Sequence, residues 1–338
     1  MVGMDEFGLI RHLVGRLGPP PHDAAVRVGV GDDAAVLATP DGFDWVVTTD
    51  SLVEGVHFLP ATMAFVDVGY KSVAASVSDI AAMGGHPKYV LMSLVVSKDV
   101  PLAALEAIYD GVRECCEEYG CQVIGGNVAS TSGPMVITST VMGTVTAGGA
   151  VLRTGARPGD LVFVTGPVGG SGAGLAYLQH DGLAPADEAQ NLRRWHQRPR
   201  PQVMAGQVLR EAGASSLDDI SDGLASELNE IAAASGVRLR IDTERVPIAP
   251  EVKNFARARG ESPLDYAWYG GEDYQLVGTA PPLAFAYALA RLQSVGVPLV
   301  QIGRVETGDG VVAQGPSQGL EVISPRGYNH FTLKSRPD

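Results

Sequence analysis

The chain has 338 residues, a length at which two domains are expected rather than one. Hydrophobic residues make up 45% and charged residues 19%, the range of soluble globular proteins, which sets aside disordered and fibrous classes. Its 25 Lys and Arg against 38 Asp and Glu give a net charge of −13, which argues against non-specific binding to nucleic acid or an anionic membrane surface and implies that any phosphate substrate needs cations beside it.

The start, Met1-Val2-Gly3-Met4-Asp5-Glu6, is acidic where a secretory signal is basic, and no apolar run approaches the ~20 residues of a membrane span, so the cytoplasm is expected. Phe7, Leu9, Ile10, Leu13, Val14 and Leu17 recur at helical spacing and predict a helix ended by Gly18-Pro19-Pro20-Pro21. Short Val- and Ala-rich strands follow at 26–30, 34–38 and 45–49, separated by Gly31-Asp32-Asp33 and Pro40-Asp41-Gly42. A helix is predicted over 68–83, a strand over 90–96, a second long helix over 102–119, and strands over 123–124 and 135–145. A second block begins near Gly148-Gly149, which divides the chain into domains 1–148 and 149–338. It repeats a strand–loop–helix pattern: strand 161–165 with helix 175–179, strand 216–220 with helix 224–234, and strand 274–279 with helix 283–292. The polar, Pro- and Arg-containing stretch 179–201 reads as an excursion over the surface. The class is α/β, of the α+β type. Cys115, Cys116 and Cys121 form no CxxC pair and read as core thiols, not a disulfide framework or a zinc site.

No G-x-x-x-x-G-K-[ST] sequence occurs, which excludes a P-loop enzyme, and no HRD…DFG set marks a protein kinase. The glycine-rich run Gly166–Gly174 follows a strand and opens a helix, so it reads either as a phosphate-facing loop or as plain tight turns; its spacing is not that of a dinucleotide fingerprint. Acidic residues stand where strands give way to glycine-containing loops: Asp32 and Asp33, Asp50, Asp219 and Asp222, and Glu272 and Asp273. Taken singly, each fits a turn or a helix cap. Asp79 is different, because it lies in an apolar helical stretch where a solvated charge is out of place, which favours a buried or metal-facing role. Many carboxylates with few His and no paired Cys suit a hard, oxygen-seeking cation, Mg²⁺ before Zn²⁺, and Mg²⁺ commonly accompanies phosphate.

Five segments carry a specific likeness: Gly31-Asp32-Asp33-Ala34-Ala35-Val36, Thr48–Phe58 (TTDSLVEGVHF), Ser78–Gly84 (SDIAAMG), Asp219–Leu224 (DISDGL) and Gly270–Tyr274 (GGEDY). In order and spacing the chain resembles the thiamine-monophosphate kinase family, from Glu6-Phe7 to Gly327-Tyr328-Asn329-His330-Phe331. The resemblance implies a two-domain, aminoimidazole-ribonucleotide-synthetase-like fold whose N-terminal domain binds ATP and Mg²⁺ and pairs its sheet across a homodimer, and whose C-terminal domain closes over nucleotide and substrate. It also implies transfer of phosphate from ATP to thiamine monophosphate without a covalent enzyme nucleophile. By position, Asp33, Thr48, Thr49, Asp50, Asp79, Asp219 and Asp222 match metal-binding places. Gly126, Asn127, Arg153, Ser221 and Tyr109 match nucleotide contacts, and His57, Glu272 and Tyr328 match the substrate site. Many relatives have Asp where this chain has Asn127, which keeps an oxygen ligand and drops a charge. Two alternatives are another ATP-dependent synthetase of the same superfamily and a non-catalytic acidic cation-binding protein. A selenophosphate synthetase or the hydrogenase-maturation relative would need a reactive Cys that this chain lacks at either end.

Overall fold

The computed structural model describes residues 6–17, 24–180, 184–315 and 319–328, so the predicted stop at Gly18–Pro21 and the Asn329–Phe331 part of the likeness lie outside the described residues. The first half runs α1 (Glu6–Gly15), β1 (Val26–Val28), β2 (Ala35–Ala38), β3 (Phe43–Val53), α2 (Phe65–Ala82), β4 (His86–Ser97), α3 (Leu102–Tyr119), β5 (Gln122–Thr131) and β6 (Val136–Thr146). Its strands form a six-stranded sheet in the order β1-β2-β3-β6-β4-β5, antiparallel except for the β4–β5 pair.

The second half runs β7 (Leu161–Val164), α4 (Gly170–Gln179), α5 (Ala186–Gln197), α6 (Val203–Ala212), β8 (Ser216–Asp219), α7 (Leu224–Ser235), β9 (Arg238–Asp242), α8 (Pro250–Arg259), α9 (Pro263–Tyr269), β10 (Leu276–Ala280), α10 (Pro282–Gln293), β11 (Val300–Glu306), β12 (Gly310–Gln314) and β13 (Glu321–Val322). These strands form a seven-stranded sheet in the order β13-β12-β9-β11-β7-β10-β8.

Along β3 the side chains alternate between two environments. Asp44, Val46 and Leu52 are buried, whereas Thr49 and Ser51 are exposed. The buried side meets α2 and α3, where Val73, Val77 and Ile80 pack with Val90, Met92, Ile108, Ile137 and Val141. Helix α2 is buried nearly all round, because its far end belongs to a second core as well: Ala81 and Ala82 pack with Ala205 and Leu209 of α6 and with Leu217 and Leu276 of the second sheet. This one helix is therefore shared by both halves.

Helices α2 and α3 cross with backbones almost touching. A Cβ on Gly69 would lie 1.9 Å from the Ile108 carbonyl oxygen, and one on Gly111 would lie 1.8 Å from that of Val66. Two glycines facing each other's helix set the separation. Gly111→Ala is expected to lower unfolding free energy by about 3 kcal/mol in urea denaturation, since neither backbone can yield without moving α2; a change below about 0.5 kcal/mol would show that the crossing is soft.

Several elements differ from the sequence reading, among them α4, which begins at Gly170 and not at the predicted 175. Strand β5 extends to Thr131, beyond the predicted 123–124, because parallel pairing to β4 from Tyr89↔Gln122 to Ser97↔Thr131 carries a segment with no alternation of its own. Strand β3 likewise continues through Thr48-Thr49-Asp50-Ser51, paired with β6 to Val53↔Val136. The stretch read as a surface excursion contains α5, whose Ala189, Leu192 and His196 are buried at helical spacing among Arg, Asn and Gln. The cysteines are free and buried, Cys115 and Cys116 in α3 and Cys121 just before β5. Among the described residues no helix is long and apolar enough to cross a membrane.

Candidate active site

Three loops at the end of the second sheet are laced together by main-chain hydrogen bonds. The Glu272 N–H donates to the Ser221 carbonyl at 2.7 Å, the Tyr274 N–H to the Ile220 carbonyl at 2.9 Å, and the Tyr328 N–H to the Asp222 carbonyl at 3.1 Å. Lacing holds two non-glycine residues in left-handed backbone, Glu272 at φ 66° and Tyr274 at φ 50°. Such conformations are strained and survive only where the surroundings over-determine them. Asp273, between them, accepts the N–H groups of Gly169 at 2.5 Å and Ser171 at 2.9 Å. The start of α4, one of the two readings of which was a phosphate-facing loop, is thus occupied by the chain's own carboxylate. Burial pushes the Asp273 pKa up to about 7 against those bonds.

These loops and the end of β3 enclose a cavity of about 880 Å³. Asp50, His57, Ser221, Asp222, Glu272 and Tyr328, from four separate motifs, all line it, together with Phe58, Tyr266 and Tyr269. His57 is oriented by its Nδ1, which accepts the Val53 N–H at 3.0 Å. A carboxylate among aromatic rings suits a flat, positively charged ring.

Beside the cavity the acids converge. Asp79 accepts the Thr48 hydroxyl at 2.5 Å, and Asp219 accepts the Ser78 hydroxyl at 2.5 Å. Burial first, and then the charges of Asp50, Asp219 and Asp33, hold the Asp79 carboxyl well above the usual carboxylate range. Asp219 is raised by burial and by Asp33, and Asp50 is pushed up by burial to about 6. Carboxylate oxygens of Asp33, Asp218 and Asp219 lie within 4.8 Å of one another.

Arg153, in the connection between the sheets, answers part of this charge. Its guanidinium contacts Asp33, Asp218 (Nε–Oδ2 3.2 Å) and Glu230, while its main-chain N–H donates to Asp32 at 3.2 Å. Burial works against the cation, but Asp218, Asp33 and Glu230 outweigh it and hold its pKa above the ordinary value. Asp32 rises to about 6 through burial and its neighbour Asp33. Asp33 Oδ2 and Asp218 Oδ1 remain buried without a hydrogen-bond donor. An all-oxygen donor set with buried, unanswered oxygens fits a hard divalent cation such as Mg²⁺.

The structure does not bring every sequence-predicted residue to this place. Thr49 points to the opposite side of the sheet from Asp50, with its hydroxyl on Thr140 Oγ1 at 3.0 Å. Gly126 and Asn127 lie on edge strand β5, separated from β3 by β6 and β4, and Asn127 registers with Ser93 and Thr138 in the row of Ser51. Tyr109 stands exposed on α3. Conversely, Asp218, Glu230, Lys71 and His196 belong to the site's surroundings and were not singled out. The signal for Lys71 was the one used for Asp79, a charge inside an apolar helical stretch.

The AIR synthase related protein N-terminal domain matches residues 31–145, and the AIR synthase related protein C-terminal domain matches residues 157–315. The chain is 38% identical to the thiamine-monophosphate kinase of Bacillus subtilis (strain 168), covering 97% of this chain and 100% of that protein. It is 37% identical to the thiamine-monophosphate kinase of Escherichia coli (strain K12), covering 96% and 98%. Among solved structures it matches AaThiL complexed with AMPPCP and TMP at a TM-score of 0.84 and 35% identity, over 97% of both chains. Similarity at that level, along nearly all of each chain and through both sheets, makes the chain a member of the thiamine-monophosphate kinase family.

Proposed function

We propose that the chain transfers the γ-phosphoryl group of ATP to the phosphate of thiamine monophosphate, giving ADP and thiamine diphosphate in one direct, in-line step. One observation carries the reading: a single cavity is lined both by Asp50, Ser221 and Asp222 and by Glu272 with Phe58, Tyr266, Tyr269 and Tyr328. The first group suits phosphates with their cations, the second a cationic heteroaromatic ring. The full-length likeness to named thiamine-monophosphate kinases, and to a structure holding AMPPCP and TMP, supports the same assignment.

In this reading Asp33, Asp50, Asp79, Asp219 and Asp222, with the Thr48 hydroxyl fixing Asp79, hold Mg²⁺. The bound ions supply counter-charge for the phosphoryl group in flight. Arg153 and Ser221 orient the nucleotide, and His57, Glu272 and Tyr328 orient the acceptor so that its phosphate oxygen faces the γ-phosphorus. No Ser, His or Asp is assigned as a nucleophile, because positioning and charge stabilisation are sufficient for this chemistry.

Residues 1–148 then form the ATP- and Mg²⁺-binding, dimerising domain, and 149–338 the domain that closes over the ligands, in the cytoplasm where ATP is available. Support for a homodimer comes from β5. It is a sheet edge that exposes Ile124 and Val128, at 52% and 67%, an arrangement proteins usually cover. Gly126 and Asn127, on that edge strand, and Tyr109, exposed on α3, are assigned to nucleotide and metal contacts completed by the partner, and Thr49 to a metal contact on the sheet face turned away from the cavity.

The test is a coupled ADP-release assay with Mg²⁺ and ATP, offering thiamine monophosphate, aminoimidazole precursors or no acceptor, with product identified by mass spectrometry. Thiamine diphosphate formed in step with ADP is the expected result. ADP release without thiamine diphosphate would refute the assignment.

A further inference from the structure

We propose that Lys71 is a positioning residue for acceptor recognition, fixing the Glu272 carboxylate as the anionic contact for the cationic ring of the substrate. The inference rests on the functional reading above. Lys71 is fully buried on α2, with its Nζ 2.7 Å from Glu272 Oε1. Among the described residues Glu272 is its one ion-pair partner. For stability alone an apolar residue would serve this position at least as well, since a buried ion pair seldom recovers its desolvation. Its presence therefore points to the partner it holds.

Glu272 lines the cavity and is 22% exposed, whereas Lys71 stands behind it, away from the lining. The carboxylate sits on a residue already held at φ 66°, so backbone and side chain are both constrained. A second neighbour, His196, has Nδ1 3.5 Å from Glu272 Oε2 and 3.0 Å from the Ser171 hydroxyl, and His57 also acts on the carboxylate. Burial pushes the His196 pKa down to about 3, so the imidazole is neutral and supplies no counter-charge near pH 7. Burial opposes the Glu272 charge too and is the largest single influence on it, but the groups around the carboxylate, Lys71 foremost and then His196 and His57, together keep that carboxyl below its ordinary value. Without Lys71, a carboxylate in this place takes up a proton and loses its attraction for a cation.

The experiment is calorimetric titration of thiamine monophosphate, and separately of a non-hydrolysable ATP analogue with Mg²⁺, into wild type, Lys71→Met, Glu272→Gln and the double variant. Lys71→Met and Glu272→Gln are each expected to raise Kd for thiamine monophosphate roughly ten- to a hundredfold. In the double variant the losses should overlap, leaving Kd within about twofold of Glu272→Gln alone, because the first substitution has already silenced the carboxylate. The ATP-analogue Kd should stay within about twofold throughout. A purely structural lysine would lower thermal stability without this overlap. Wild-type-like binding by Lys71→Met, or losses that multiply in the double variant, would overturn the inference while leaving the functional reading intact. Wild type that binds no thiamine monophosphate would overturn both. If Lys71→Met does not fold, Glu272→Gln against the double variant decides: equal affinities support the inference and a further loss removes it.

Discussion

Asp79→Asn is expected to lower turnover about a thousandfold or more while making the metal-free protein more stable above pH 7. Both effects have one origin. Asp79 sits beside Asp50, Asp219 and Asp33, and burial together with these like charges raises its pKa. In the folded state such groups bind protons more tightly than in the unfolded chain, so stability falls as pH rises from their ordinary values near 4 through their folded ones. For Asp50, a rise from 3.8 to about 6 corresponds to roughly 3 kcal/mol lost across that interval. The amide keeps the Thr48 contact and removes one repelling charge. Urea denaturation at pH 5 and pH 8 without Mg²⁺, alongside the kinase assay, checks the claim: wild type should lose stability between the two and Asp79→Asn should lose less. A folded Asp79→Asn enzyme with near-wild-type turnover would remove Asp79 from the metal set.

Arg153→Met should have the largest effect on folding, a loss of about 3–5 kcal/mol. The guanidinium contacts carboxylates from three separate places, Asp33 ahead of β2, Asp218 on β8 and Glu230 on α7. Taking it away leaves Asp218 fully buried and close to Asp33, Glu227 and Glu230. Added Mg²⁺ should recover part of the lost stability in the variant and raise wild type less, because a divalent cation replaces the missing charge among the same oxygens. Denaturation midpoints for both proteins across a Mg²⁺ series give the comparison. Equal Mg²⁺ responses would mean that arginine and metal answer different carboxylates.

The parts of this site that are local in sequence were the parts that could be read. Asp33, Asp219 and Glu272 announce themselves because an acid beside glycine at a strand end is a short-range pattern. The long-range partnerships were invisible: nothing near Arg153 in sequence says that Asp218 and Glu230 close on it, and nothing near Lys71 points to a loop 200 residues on. Element boundaries failed where pairing overrides propensity, as along β5, and α5 was hidden by a stripe only three buried residues wide. Thr48-Thr49-Asp50 illustrates the remaining gap. The likeness groups all three residues as metal ligands, while strand alternation sends the Thr49 side chain to the other side of the sheet.

Helix α2 carries Lys71 and Asp79 on one rigid rod, eight residues apart, which at 1.5 Å per residue is about 12 Å. One residue is paired to the cavity-lining Glu272 carboxylate and the other stands in the acid cluster. Under the proposed function, the distance between the group assigned to the ring and the group assigned to the phosphates is set by a helix held from both sides by close backbone contact, at Gly111 of α3 and at Gly206 of α6. A gauge of that kind does not stretch. On that assignment, acceptors with a longer or shorter arm between ring and phosphate are expected to meet one end of the site and miss the other, so that selection by length would come from the fold before any contact with the arm itself is made.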